Sequence, residues 1–309
     1  MPVYQTFDAI PLLPRAVVTI GTFDGVHLGH RKVIAQLLQE AEAIGGTPVL
    51  VTFYPHPKRV VSQERKPVFL LNTAREKYSL LHEVGIEHIV EVPFNRAFSS
   101  QSAMGYIRDF LVGKLHVHTI IIGYDHRFGH NREGDYRLLE SMAPEYGFTV
   151  REIPEQLLKD VVVSSTRIRE ALQEGKLENA HALLGYNYFF SGLVVEGNKL
   201  GRTIGFPTAN LLMEDPEKLV PATGVYVVDV WSDKYEQSYR GMMNIGVRPT
   251  VDGTRKMIEV HLLDFDKDLY NSKLSITLRS WIREEKKFDG LEALKRQLES
   301  DREFARQLA

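Results

Sequence analysis

At 309 residues the chain exceeds what one hydrophobic core commonly serves, and 43% apolar with 25% charged residues are globular averages that suggest neither disorder nor a membrane protein. Lys and Arg number 38 against 40 Asp and Glu, with no basic block, so nucleic acid is not expected as a partner. With no cysteine there is no disulfide, thiolate metal site or cysteine nucleophile; without a secretory leader or an apolar run of about 18 residues, no membrane partner and a cytoplasmic location are expected.

The first half alternates short apolar runs with helical patterns. Val17–Ile20, Thr47–Phe53, His88–Val92 and His118–Ile122 are β-rich and bounded by turn residues, as parallel strands buried on both faces are. Helices are predicted between them: over His30–Ile44, where Val33, Ile34, Leu37, Leu38 and Ala41 form one stripe, and less cleanly over Thr73–Val84 and Gly134–Tyr146. The alternation predicts an α/β fold with a doubly wound, Rossmann-like parallel sheet, whose ligands sit at the carboxyl ends of the strands.

Two further helices are predicted over Ser165–Glu174 and Leu177–Leu184, after which the texture changes. Tyr188–Val195, Gly224–Trp231, Tyr239–Ile245, Lys256–Phe265 and Lys273–Trp281 read as five or six antiparallel strands, with Asp252-Gly253 as a hairpin turn. They predict a small barrel, followed by an amphipathic helix over Leu291–Leu308. The boundary is placed near Gly185-Tyr186-Asn187, giving domains 1–185 and 186–309, with no internal repeat.

The segment Gly21–His30, GTFDGVHLGH, joins the first strand to the first long helix. Its glycines at Gly21, Gly25 and Gly29 bring main-chain N–H groups close to a guest, and the helix N-terminus adds about half a positive charge, so phosphate is the natural ligand. His27 and His30, three apart, can donate to phosphate oxygens as charge builds up in a transition state. The same pair could bind a metal, and two exposed histidines on a tight loop remain the plain alternative. No G-x-x-x-x-G-K-[ST] motif is present.

A second constellation is Val163–Arg169, VSSTRIR. Ser164 or Ser165 suits an N-cap and Arg169 lies about one turn into the helix, so hydroxyls, N–H groups and a guanidinium could meet an anion there. An ordinary capped helix with solvated arginines fits the segment as well.

Together with Thr52–Pro57 (TFYPHP) and Gly123–Gly129 (GYDHRFG), these motifs follow the order of the nucleotidyltransferase superfamily across residues 17–170. The match is closest to the FAD synthetase module of bacterial bifunctional riboflavin kinase/FAD synthetases. The resemblance implies transfer of AMP from ATP to the phosphate of FMN, with release of pyrophosphate. It implies that His27, His30 and Arg169 are catalytic, that Gly21, Thr22, Phe23 and Gly29 shape the ATP loop, and that Ser165 and Thr166 contact the phosphates. Asp125 would sit beside adenosine or flavin. Tyr54 stands where an acidic residue is common in the family, and His126 where an aromatic is common.

In the second half, Gly201–Asn210 reads GRTIGFPTAN. A Thr hydroxyl and an Asn carbonyl two residues apart share one face of an extended segment, which suits a hard cation, although a loop with a Pro-centred turn also explains the string. In Ile258–Phe265, alternation puts Ile258, Val260 and Leu262 on one face and Glu259 on the other. Composition alone favours a solvated Glu259 over a carboxylate lining a site.

GFPTAN, Gly224-Val225-Tyr226, Asn244–Thr250 (NIGVRPT), IEVHLLDF and Arg283–Phe288 (REEKKF) resemble the riboflavin kinase pattern over roughly residues 187–301. The resemblance implies a six-stranded antiparallel barrel that moves the γ-phosphoryl of ATP to riboflavin. Glu259 would be the catalytic base and Thr208 and Asn210 the Mg²⁺–ATP ligands. Gly205, Phe206 and Pro207 would shape the loop over the phosphates, and Arg283, Phe288 and the last helix would cover the flavin. The expected substrates and products are therefore riboflavin, FMN, FAD and ATP, with Mg²⁺ as cofactor.

Overall fold

The computed structural model describes residues 2–62, 68–153, 164–197, 200–250 and 253–308, with the side chains of 249–250 and 253–255 left aside. The chain forms two compact units, Met1–Ser165 and Thr166–Ala309. The helices Ser165–Gln173 and Leu177–Leu184 thus precede the barrel within the second unit, apart from Ser165 itself.

The first unit is a six-stranded parallel sheet of β1 (Val3–Tyr4), β2 (Val17–Ile20), β3 (Pro48–Tyr54), β4 (His88–Pro93), β5 (Thr119–Gly123) and β6 (Thr149–Ile153). The strand order is β1-β4-β3-β2-β5-β6. From β2 the chain builds outward through β3 and β4 on one side and returns to build β5 and β6 on the other. The switch point, where a doubly wound sheet opens a crevice, therefore lies at the carboxyl end of β2, at Ile20.

All four β2 residues are buried, which explains a run without polar alternation. The helix Leu28–Ile44 packs Ile34, Leu37 and Ala41 inward and stops at Gly45, whose φ of 60° lets its N–H reach the carbonyls of Ala41 and Glu42. The edge strand β6 was not predicted: its Arg151 and Glu152 are exposed, so it lacks the apolar run that marks a buried strand. Also unpredicted is the π-helical stretch Tyr106–Val112, which buries Tyr106, Ile107, Phe110 and Leu111.

In the second unit β7 (Phe189–Val195), β8 (Ala209–Met213), β9 (Gly224–Ser232), β10 (Gln237–Thr250), β11 (Gly253–Leu262) and β12 (Lys273–Arg283) close a barrel in the order β10-β11-β8-β7-β12-β9. Every neighbouring pair is antiparallel. β10 and β11 form a hairpin in which Thr250 pairs with Gly253; residues 251–252, and with them half of the expected Asp252-Gly253 turn, lie outside the described residues. The sixth strand is β8, which emerges from the GFPTAN segment.

The terminal helix Leu291–Gln307 buries Asp301 and Ala305. It closes a small second core of Phe206, Val227, Met242, Leu263 and Ala305. The loop before β8 is thereby fastened by Phe206 to the same core as the end of the chain.

Candidate active sites

The first site forms where β2 ends. Phe23 (φ 49°), Gly25 (φ 91°) and Val26 (φ 36°) all take left-handed backbone within four residues. For a β-branched residue such as Val26 that conformation costs energy, and strain of this kind persists where surrounding structure enforces it. The loop turns sharply enough to seat His27 as the N-cap of the following helix.

His27 Nδ1 accepts the main-chain N–H of His30 at 3.2 Å. That bond fixes Nδ1 as the acceptor, so in the neutral ring Nε2 carries the proton. The two imidazoles stack with centroids 3.6 Å apart, and Phe23 packs against His30 at 5.1 Å. Nδ1 of His30 is buried without a hydrogen-bond partner. Burial, then the neighbouring His27, then Lys77, holds the His30 pKa well below that of a free imidazole. The pair thus presents ring N–H donors at a helix N-terminus, an arrangement that favours an anion.

Gly21, Thr22, Phe23, His27, Gly29 and His30 are brought together in this single turn. Ser165 joins them, its hydroxyl donating to the Asp24 carbonyl at 2.8 Å. Asp125 is exposed just beyond the carboxyl end of β5. Thr166 and Arg169 lie on the helix that begins at Ser165 and belong to the second unit.

Two buried residues here escaped the sequence reading. Asp24 accepts the N–H groups of Leu71 (2.9 Å) and Asn72 (3.2 Å), and Lys77 donates to Thr22 and Thr52. A charged residue inside the glycine loop, and a lysine at helical spacing from Leu80 and Leu81, were the available signals. Among the described residues no group of three or more His, Cys, Asp and Glu could hold a metal, so the histidine pair has no third ligand of that kind there.

The second site lies on the barrel. Asn244, Glu259 and Asn210 are direct partners on β10, β11 and β8, one continuous row across three strands. Thr208 donates to Glu259 Oε2 at 3.4 Å, and Arg248 donates to Oε1 at 3.2 Å. A cavity of about 350 Å³ includes Thr208, Asn210, Asn244, Arg248, Glu259 and Phe288 in its wall. Glu259 therefore lines a site, contrary to the solvated reading that composition favoured. Asn244 and Arg248 stood in the NIGVRPT motif without a role of their own, because a linear string does not show that the antiparallel register pairs Asn244 with Glu259 or that Arg248, opposite Arg255, reaches the same carboxylate.

Thr208 also borders a second cavity of about 350 Å³, lined among others by Arg202, Pro207, Phe265, Lys267 and Asp268. The segment between the two cavities is tightly held. Gly205 (φ 84°) makes the turn, Phe206 is buried, and the Pro207 carbonyl contacts His261 Nδ1 at 2.8 Å. Burial lowers the pKa of His261, partly offset by that contact. The hydroxyl of Thr208 and the amide carbonyl of Asn210 are hard oxygen donors, which fits Mg²⁺ shared with nucleotide phosphates.

Arg283 and Phe288 border the first of these cavities, with the guanidinium 5.6 Å from the Phe288 ring centre. Arg283 is also bound to Asp301 of the terminal helix, at 2.7 Å from NH2 and 3.0 Å from Nε to Oδ2. Lys286 reaches Gln297 on the same helix at 2.7 Å. The segment over the cavity is thus tied to the end of the chain.

Comparison with known proteins matches both halves. The family model for FAD synthetase matches residues 10–167, and that for riboflavin kinase residues 184–309. A bifunctional riboflavin kinase/FMN adenylyltransferase from Escherichia coli K12 is 42% identical over 292 residues, 94% of this chain and 92% of its own. The protein of the same name from Bacillus subtilis 168 is 38% identical over 296 residues, again 94% and 92%. A crystal structure described as a macrolide-efflux protein from Streptococcus pneumoniae aligns over 100% of this chain and 99% of its own, with a TM-score of 0.88 and 30% identity. Among the described residues no helix is long and apolar enough to cross a membrane.

Proposed function

We propose a division of labour for this chain, which belongs to the bifunctional riboflavin kinase/FMN adenylyltransferase family: residues 186–309 phosphorylate riboflavin to FMN, and residues 1–185 adenylylate FMN to FAD. The observation that carries it is the pairing of two separate phosphate-handling sites, the stacked histidines at the switch point of the sheet and the Asn244–Glu259–Asn210 row on the barrel.

In the barrel, riboflavin occupies the cavity bordered by Phe288 and Asn244, and ATP the cavity bordered by Arg202 and Lys267. Thr208, which borders both, is the point where the γ-phosphate meets the ribityl 5′-hydroxyl. Glu259 takes the hydroxyl proton as the oxygen attacks phosphorus and the bond to ADP breaks. Arg248 orients the carboxylate for that task. Thr208 and Asn210 would hold Mg²⁺, which when bound neutralises charge on the transferring phosphoryl group. The lid from Arg283 to Phe288 excludes water that would otherwise accept the phosphoryl group.

In the first unit the nucleophile is an FMN phosphate oxygen, already anionic near neutral pH, so no strong base is needed. It attacks the α-phosphorus of ATP and pyrophosphate leaves. His27 and His30 donate to the developing charge, the loop Gly21–Phe23 presents main-chain N–H groups, and Gly29 lets the helix start close to the nucleotide. By the family resemblance Ser165, Thr166 and Arg169 are assigned to the phosphates, and Asp125 to adenosine or flavin.

Incubation of the purified chain with riboflavin, ATP and Mg²⁺, followed by chromatography of the flavins, tests the reading. FMN should appear first and FAD after it. A chain that produced neither would overturn it, and one that produced FMN alone would confine the activity to the barrel.

A further inference from the structure

Beneath the glycine loop, the helix Ala74–Glu83 carries a lysine on its buried stripe. Lys77 lies three and four residues before Leu80 and Leu81, faces the same way, and is 8% exposed. An ammonium is among the costliest groups to bury, and a methionine would fill the stripe without that cost. The placement therefore needs a reason beyond packing.

Its contacts supply one. Nζ donates to Thr52 Oγ1 at 2.8 Å and to the Thr22 carbonyl at 3.3 Å, and Thr52 Oγ1 itself donates to the same carbonyl at 3.1 Å. An ammonium and a hydroxyl thus converge on the second residue of the loop, just before the left-handed turn at Phe23. Both bonds from Lys77 go to neutral oxygens.

The carboxylates nearby, Asp24 and Glu91, are engaged with other donors: Asp24 with the N–H groups of Leu71 and Asn72, Glu91 with Gln5 Nε2 and the Tyr78 hydroxyl. The Tyr78 ring centre lies 5.7 Å from Nζ. Burial lowers the Lys77 pKa to about 8, with Asp24 and Glu91 working in the opposite sense. Lys77 therefore stays mostly charged at neutral pH, and that charge is one of the influences holding its neighbour His30 neutral, after burial and the stacked His27.

We propose that Lys77 is a positioning residue of the adenylyl-transfer site: it pins the Thr22 carbonyl and the Thr52 hydroxyl so that the loop N–H groups face the polyphosphate. This rests on the reading of the first unit as the adenylyltransferase.

The test uses the full chain with Lys77→Met, Lys77→Arg and Thr52→Val. kcat and KM for FAD formation from FMN and Mg–ATP are measured separately, with riboflavin phosphorylation followed in the same samples. Lys77→Met should lower kcat for FAD formation on the order of a hundredfold with the KM for FMN little changed, as expected of lost alignment. It should leave riboflavin phosphorylation intact. Lys77→Arg, which keeps a cationic donor near both oxygens, should recover part of kcat.

Unchanged kcat in Lys77→Met would overturn the proposal. So would Lys77→Arg matching Lys77→Met in kcat. Should Lys77→Met fail to fold, Thr52→Val decides on the pinning, with an expected loss in kcat of roughly tenfold; no effect there overturns the proposal. Absence of FAD formation in the unsubstituted chain would instead overturn the adenylyltransferase reading itself.

Discussion

The guanidinium of Arg248 on β10 lies 3.2 Å from Oε1 of Glu259 on β11, while the Thr208 hydroxyl lies 3.4 Å from Oε2. Both oxygens of the carboxylate are thus directed, with Asn210 and Asn244 as its cross-strand neighbours. The Arg248 and Glu259 side chains are 49% and 27% exposed, so the ion pair adds little to stability and its value lies in orientation.

Glu259→Gln removes the proposed base and keeps the shape. FMN formation should fall on the order of 10²–10⁴-fold, while FMN supplied directly is still converted to FAD. Arg248→Met should lower FMN formation by about tenfold, since the base remains but is less well aimed. Chromatographic assay of each step separately checks both, and parallel loss of the two activities in Glu259→Gln with the fold intact would count against separate sites.

Asp301 is buried in the terminal helix and paired with Arg283 through both carboxylate oxygens. Breaking a buried pair leaves an uncompensated charge, so Asp301→Asn should destabilise the second unit by about 3 kcal/mol in denaturant unfolding. Because Arg283 begins the segment over the barrel cavity, the KM for riboflavin should rise as well. FAD formation from supplied FMN should be unaffected.

Several histidines are held neutral by their surroundings. Burial pushes His126 down to about 4, and burial with Arg279 nearby does the same for His181. Unfolded imidazoles take up protons near 6.5, so between about 6.5 and 4 the unfolded chain binds more protons than the folded one. Stability should be complete above about pH 6.5 and fall as the pH drops toward 4. Thermal unfolding across that range should show declining midpoints, with a shallower slope in His126→Phe, whose ring can pack on Phe128 as the imidazole does at 6.1 Å.

The helices Ser165–Gln173 and Leu177–Leu184 bury Leu172, Leu177, Ala180 and Leu184, and the Ala222 N–H bonds to the Leu172 carbonyl at 2.9 Å. Within the second unit a fragment 166–309 should therefore unfold at a higher temperature than a fragment 186–309. Both should form FMN and neither FAD. Equal melting temperatures would show that the helices contribute nothing to the barrel.

Periodicity alone located β2 and the helix Leu177–Leu184 to the residue and the other long helices to within two, because one-sided burial writes itself into a chain as a repeat. It missed β6, whose exposed Arg151 and Glu152 break the apolar run, and left β8 unassigned, because a five-residue strand after Pro207 offers too few positions to show alternation. The motif residues Gly21–His30 and Gly205–Asn210 were legible because each cluster is contiguous, so local backbone chemistry defines it.

The chain's order of residues was thus sufficient for two units of different fold class, for both glycine-rich loops and for Glu259 as a candidate base. Only the tertiary structure decided that Glu259 lines a cavity rather than facing solvent, that Arg248, Asn244 and Asn210 surround it, and that Lys77 supports the first loop from below. These relations join residues from separate strands and helices. Strand register and helix packing set them, through hydrogen bonds and burial that no local window of sequence contains.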